Sequence, residues 1–380
     1  MSLSRRAWLR AGGLLSVAGA GGLAAAQGNA LRGAEAASAA LAQEEGVWRL
    51  AFGSCARQTR PQPIWSTITD YRPHLFVFLG DNFYADADTP DQLRARHAEF
   101  ARLGPLQAFR RNHAHLAIWD DHDYGVDDAG GEYPHKLLSQ QLFCDSWGEP
   151  ADAPRRQRSG VFESYLLRAR GKTVQLILPD LRFNRGLLLA DPSRRSGYDS
   201  MVQAARNGST TPVPGWYLPN PDPSVALLGE AQWQWLDAQL AQPADVRILA
   251  SSVQFAAEGT GWECWWNFPA ERQRLLDLLR RRRVQGLVVV SGDMHYGELS
   301  RLDAPGLYPL WDLTTSGLTE VWAVPTPNQR RVQGVVAEPN FGSIEIDWAA
   351  GTLALTVRGG DGVVRLGHRI ALGSLRLPPT

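Results

Sequence analysis

The chain reads as an α/β fold in the broad α+β sense, with mixed sheets and helices sharing one core. Three observations lead there. Apolar runs of four or five residues, such as Leu75-Phe76-Val77-Phe78-Leu79 and Leu287-Val288-Val289-Val290, stop at polar, Gly-containing turns, the pattern of strands covered on both faces. Strand-like and helix-like stretches alternate through the first part, before an irregular middle and a β-rich end. Hydrophobic residues make up 44% of the chain and the formal net charge is +0, which fits a soluble globule without a broad field to attract nucleic acid.

At the amino end, Ser4-Arg5-Arg6-Ala7-Trp8-Leu9-Arg10 precedes a weakly apolar Gly/Ala/Leu/Val stretch from Ala11 to Ala26. This resembles a twin-arginine export signal, with Trp8 where Phe is usual. The stretch is too short and Gly/Ala-rich for a stable membrane anchor, and no cysteine follows to carry a lipid. Ala-x-Ala arrangements place cleavage after Ala26 or after Ala42. Residues 1–42 are therefore expected as signal and flexible leader, residues 47–378 as a single domain, and the protein as periplasmic or secreted, with the twin-arginine machinery as a partner.

In order, Leu50-Ala51-Phe52 is a strand running into Gly53-Ser54-Cys55, and residues 75–79 are a strand running into Gly80-Asp81-Asn82-Phe83-Tyr84. Thr89 to Phe109 reads as one helix. Leu116-Ala117-Ile118-Trp119 leads into Asp120-Asp121-His122-Asp123, and Lys172 to Pro179 feeds Asp180-Leu181-Arg182-Phe183. The Pro/Gly/Asn/Ser-rich stretch from Gly186 to Ser224 predicts a long surface excursion. Trp233, Leu236 and Leu240 stripe a helix over 228–240. Val246 to Phe255 is expected as strand and Pro269 to Arg283 as helix. The Arg280 to Arg283 run sits at that helix's carboxyl end, where the dipole favours cations, so it reads as a solvated end rather than a polyanion site. Residues 287–290 form a strand entering Ser291-Gly292-Asp293-Met294-His295, and the alternation of Ile344/Ile346 and Leu353/Leu355/Val357 around Ala349-Ala350-Gly351 predicts a hairpin.

Several strands thus end in acidic, His, Tyr or Cys residues, and the carboxyl ends of such strands are where open sheets keep their chemistry. Carboxylates gathered together repel unless cations lie between them, so the pattern predicts a multi-metal site. Asp81 has two oxygens and can bridge two cations. Tyr84 as phenolate and Cys55 as thiolate favour a transition metal such as Fe(III), whereas Asp and water ligands suit calcium, manganese or magnesium. In the Asp120–Asp123 run one Asp faces the metals, with the choice between Asp120 and Asp121 open, and His122 faces the substrate as proton donor or charge stabiliser. Alternation puts Asp293 and His295 on one side, suited to joint ligation of a second cation. Cys144 and Cys264 either pair or remain as inert buried thiols.

These residues resemble the PhoD-like alkaline phosphatases, within the calcineurin-like metallophosphoesterases. The matching segments are Phe52-Gly53-Ser54-Cys55, Leu79 to Asp86, Trp119 to Gly125 and Ser291 to His295, supported by Leu228 to Trp233, Ser252 to Phe255 and Trp262 to Arg272. The resemblance implies a four-layer αββα sandwich of two mixed β-sheets flanked by helices, and an exported enzyme hydrolysing phosphomonoesters or phosphodiesters by a metal-activated hydroxide. It implies Fe(3+) held by Cys55, Asp81 and Tyr84, with Asp81 bridging to Ca(2+), or Mn(2+) or Zn(2+) in its place. Asp121, Asp293 and His295 would complete the shell, and His122 would sit near the phosphoryl group and give a proton to the leaving alkoxide. Arg182 either contacts phosphate or pairs with Asp180. Two departures stand out: Asp127-Asp128 brings an Asp where relatives often have Asn, and Phe183 stands where Tyr is expected. The alternative from another class is a catalytically weak or inactive protein of this fold that binds metal or a phosphorylated ligand.

Overall fold

Uninterrupted runs of Val, Ile, Leu and Phe become the central strands of two sheets, because only strands shielded on both faces tolerate such composition. The structure, a computed structural model, describes residues 29–194 and 197–377. The strands are β1 (Trp48–Gly53), β2 (Leu75–Leu79), β3 (His115–Ile118), β4 (Glu163–Ala169), β5 (Lys172–Leu178), β6 (Leu189–Ala190), β7 (Tyr217–Leu218), β8 (Val246–Ser251), β9 (Leu287–Ser291), β10 (Gly297–Leu302), β11 (Leu310–Thr315), β12 (Asn340–Asp347), β13 (Thr352–Gly359) and β14 (Val364–Ala371). One six-stranded sheet runs β14-β13-β12-β1-β2-β3, the other β10-β11-β9-β8-β5-β4, and β6-β7 is a small ribbon. Each large sheet has a parallel block, β1-β2-β3 along one side of the first and β5-β8-β9-β11 in the middle of the second. Antiparallel strands complete both, including the expected β12-β13 hairpin. Every residue of β2, β3, β8 and β9 is buried.

The helices are α1 (Asn29–Gln43), α2 (Ile64–Tyr71), α3 (Pro90–Phe100), α4 (Gly104–Asn112), α5 (Asp121–Tyr124), α6 (Lys136–Ser146), α7 (Gly197–Arg206), α8 (Glu230–Leu240) and α9 (Pro269–Arg281). They form the outer layers of the αββα sandwich. Against the first sheet, Trp65 of α2 and Phe109 of α4 pack on Phe76 and Phe78 of β2. Burying each such ring is worth about 1.5–3 kcal/mol. Against the second, Gln175 of β5 donates to the Gln239 carbonyl of α8, whose Trp233, Leu236 and Leu240 are buried.

Three expectations are corrected here. Thr89 to Phe109 is two helices, not one, because Pro105 in the first turn of α4 has no amide hydrogen and cannot continue α3. The strand read over 246–255 ends at Ser251. Residues 29–42, expected within a flexible leader, instead belong to helix α1, which lies along β3 and β4. These are the edge strands of the two sheets, and α1 covers them with buried Ala34, Ala37 and Leu41. The arginine pair and Ala26 lie outside the described residues. Cys144 and Cys264 are free, buried thiols.

The excursion over 186–224 carries β6, β7 and α7 and docks on the loops that follow the second sheet. Gly215 and Tyr217 amides donate to the Thr260 and Gly261 carbonyls, and the Val213 amide to Pro325.

Candidate active site

The loops leaving β1, β2, β3 and β9 meet where the two sheets face each other. At the first junction Gly80 has φ +102°, and a Cβ there would stand 2.5 Å from Asp120 Cβ, so only glycine lets the β2 and β3 loops touch. Asp123 then ties them: its carboxylate accepts the backbone amides of Asp120 (2.6 Å), Asp81 (3.2 Å) and Asn82 (3.4 Å). Cys55, Asp81, Asp293 and His295 all have left-handed backbone, with φ 61°, 49°, 74° and 56°. Non-glycine residues in that region cost on the order of 1–3 kcal/mol each and cluster where function holds them.

Their side chains form overlapping groups whose donor atoms lie within 4.8 Å of one another: Cys55, Asp81 and His295; Asp81, Asp121 and His122; Asp120, Asp121 and Asp293; and Asp121, Asp128 and Glu263. Cys55 Sγ is 3.3 Å from Asp81 Oδ2 and 3.1 Å from Ser316 Oγ. Tyr84 Oη lies 3.1 Å from His295 Nε2, at the edge of the first group. Asp81 belongs to two groups, as a bridging carboxylate requires. Asp293 and His295, which alternation put on one side, fall in different groups. The chain turns through left-handed backbone at both residues, sending His295 to Cys55 and Asp81 and sending Asp293 to Asp120 and Asp121. Both carboxylates of the Asp120-Asp121 pair reach the centre.

The electrostatics show what this arrangement lacks by itself. Burial, followed by neighbouring carboxylates, pushes Asp81 and Asp293 well above the usual carboxylate range, and burial lifts Asp120 to about 6 and Asp123 to about 7. Burial works against the charge on His122, but Asp121, Asp81 and Asp86 outweigh it and raise its pKa well above that of an ordinary imidazole. Burial lowers His295 to about 3, so it is a neutral nitrogen donor. Asp81 Oδ1, Asn82 Oδ1, Asp120 Oδ2, Asp121 Oδ1 and His295 Nδ1 are buried without a hydrogen-bond partner among the described residues. Orphaned oxygens of this kind are rare in folded proteins, and they fit cations. The Cys, Tyr and His donors fit a transition metal and the carboxylate-rich groups a harder ion.

His122 faces a cavity of about 250 Å³ beside this centre. Its Nδ1 is 2.5 Å from Asp86 Oδ1, and its Nε2 is 3.6 Å from Asp127 Oδ1. Arg182 does not line this cavity. It is fully buried, with Nε 2.5 Å from Asp120 Oδ1, Nη1 2.5 Å from Glu263 Oε2 and Nη2 3.7 Å from Asp121 Oδ1. The alternative of an Arg182–Asp180 pair does not hold among the described residues, since Asp180 uses its carboxylate on the amides of Val161, Arg182 and Phe183. Arg57 also lines the cavity, stacked over the Tyr84 ring at 3.8 Å and paired with Glu320 at 3.0 Å. Arg57 and Glu263 were not expected as site residues. Arg57 lies two positions past Cys55, and Glu263 lies in the Trp262 to Arg272 segment, which supported the family resemblance without pointing to a role for it.

Residues 168–341 match the family described as PhoD-like phosphatase. Over 253 residues the chain is 23% identical to alkaline phosphatase D of Bacillus subtilis (strain 168), an alignment covering 62% of this chain and 41% of that protein. A solved structure of PhoD superposes with a TM-score of 0.67 at 16% identity, covering 89% of this chain and 72% of the other. By these matches the chain resembles the PhoD-like phosphatases. It spans about two-fifths of the length of its curated Bacillus relative. The fold also resembles GAP50, described as the anchor in the inner membrane complex of Plasmodium, with a TM-score of 0.51 at 13% identity over 88% of this chain and 90% of the other. The matched segment holds Glu263, Asp293 and His295, whereas Cys55, Asp81 and Asp121 precede it. Folding joins the two sets.

Proposed function

We infer that this protein is a metal-dependent phosphoesterase acting on phosphomonoesters or phosphodiesters, with residues 47–378 as its catalytic domain. The observation that carries the reading is the set of orphaned buried oxygens on Asp81, Asp120 and Asp121 beside Cys55 and His295, at the edge of a cavity faced by His122. Cys55, Asp81, Tyr84 and His295 would hold the transition metal, Fe(3+), and Asp81, Asp120, Asp121 and Asp293 the second ion, Ca(2+), Mn(2+) or Zn(2+). Cations bound there supply Lewis-acid charge that acidifies water and offsets charge growing on the phosphoryl oxygens.

The chain's own residues do the rest. Water oxygen attacks phosphorus, the ester P–O bond breaks, and the leaving oxygen needs a proton. His122 is placed to give it: Asp86 ties Nδ1, which leaves Nε2 toward the cavity. Arg182 holds Asp120 and Glu263 in place without touching substrate, and Arg57 offers positive charge on the cavity wall. The reading includes export through a twin-arginine signal. Cleavage after Ala42 would strip α1 from the sheet edges, so processing after Ala26 is the site consistent with the packed helix. Purified protein assayed on a phosphomonoester and a phosphodiester, with elemental analysis and with and without chelator, tests the function. Chelator-sensitive turnover with at least two metal equivalents is expected. Turnover unaffected by complete metal removal would refute it.

A further inference from the structure

The cavity at His122 has a mixed lining. Beside the carboxylates and His295, Tyr198, Trp262 and Trp322 from three separate segments form an aromatic wall. The two indoles are held in place. The Trp262 indole N–H donates to the Val213 carbonyl at 3.2 Å, and a Cβ on Gly197 would stand 3.0 Å from the same ring, so the start of α7 rests on Trp262 and brings Tyr198 beside it. The Trp322 backbone amide donates to the His295 carbonyl at 2.9 Å, and its ring meets the His295 imidazole edge-on at 4.7 Å. Trp262 and Trp322 lie 4.7 Å apart at 55°. Whereas Trp48, Trp119 and Trp265 are wholly inside the core, Trp262 and Trp322 are only half-buried, and Tyr198 is 58% exposed.

We propose that this wall is a subsite for the ester substituent of the substrate, and that it takes a flat ring such as an aryl group or a nucleobase. The proposal rests on the phosphoesterase reading above. Room permits it: a cavity of roughly 150 Å³ accepts benzene, so about 250 Å³ holds one ring beside a phosphoryl group. Rigidity favours it, because rings already fixed by hydrogen bonds and packing lose little freedom when another ring stacks on them. Stacking on a fixed aromatic face also depends on the partner being flat, so a puckered ring of equal size gains less.

Benzyl phosphate and cyclohexylmethyl phosphate have leaving groups of one alkoxide class and nearly one size, and differ in flatness. Benzylphosphonate and cyclohexylmethylphosphonate are their hydrolysis-resistant counterparts. On the metal-replete full chain, benzyl phosphate should be favoured on the order of tenfold in kcat/KM, carried in KM, and calorimetry should show a similar preference for benzylphosphonate. Tyr198→Ala and Trp262→Leu should each bring both ratios toward one. Tyr198→Ala keeps the test valid if Trp262→Leu loosens the excursion, because Tyr198 is largely exposed. Turnover with equal values for the two esters and the two phosphonates overturns the subsite and leaves the phosphoesterase reading standing. No turnover with the phosphonate preference intact supports the subsite and refutes that reading. No turnover and no preference overturns both.

Discussion

Replacing Arg182 with Met separates two roles for a residue whose sequence context allowed a phosphate contact. The guanidinium is 0% exposed and sits against Asp120 and Glu263 at 2.5 Å and Asp121 at 3.7 Å. Removing one partner of a buried pair leaves charge uncompensated and costs about 3–5 kcal/mol. For a chain of this size each kcal/mol moves Tm by roughly 2 °C, so Arg182→Met should lower Tm by roughly 6–10 °C. The effect should be largest in chelator, because cations would otherwise neutralise the same carboxylates, and Asp120, already lifted to about 6 by burial, would rise further without the guanidinium. Thermal unfolding followed by circular dichroism, with chelator and with saturating metal, measures this. An unchanged Tm together with a large fall in kcat/KM would refute the buried-clamp reasoning and return Arg182 to the phosphate.

Asp81→Asn should abolish hydrolysis and lower bound metal while leaving the circular dichroism spectrum intact, because Asp81 joins two ligand groups; retained activity with unchanged metal content would contradict the assignment. His97 and His115 are buried and held neutral, with pKa values pushed down to about 3 and about 4 by burial. Unfolded imidazoles near 6.5 bind protons that the folded ones reject, so this part of the stability is fully present above about pH 6.5 and is lost as pH falls toward the folded values. Denaturant unfolding at pH 7.5 and 4.5 should show His97→Gln flattening that loss, and an unchanged slope would exclude the mechanism. A chain beginning at residue 43 lacks α1 and should unfold at a lower temperature than one beginning at residue 27, because Ala34, Ala37 and Leu41 no longer cover β3 and β4; equal melting temperatures would count against α1 as part of the domain.

Much of the fold was legible in the chain because its strands are buried on both faces and therefore read as unbroken apolar runs. That property located β2, β3 and β9 and the loops after them, and the hairpin of β12 and β13 showed in its alternation. Helix α1 was missed because Ala/Gly composition describes a leader and a close-packed helix equally well; the difference lies in whether sheet edges are present to receive Ala34, Ala37 and Leu41. The split between α3 and α4 was legible in Pro105 and was overlooked.

By itself the sequence determined which residue types stand at the strand ends, because strand termination is local: an apolar run, a glycine or other turn residue, then a polar donor. It also carried the family resemblance, since those junctions retain their order along the chain. Tertiary structure alone decided how the donors sort. Left-handed backbone at Asp293 and His295 sent neighbours in sequence to different ligand groups. Arg182 went beneath the site because Asp120 and Glu263, 62 and 81 positions away, converge on it. The sorting of charges depends on distances between chain segments that no local pattern encodes.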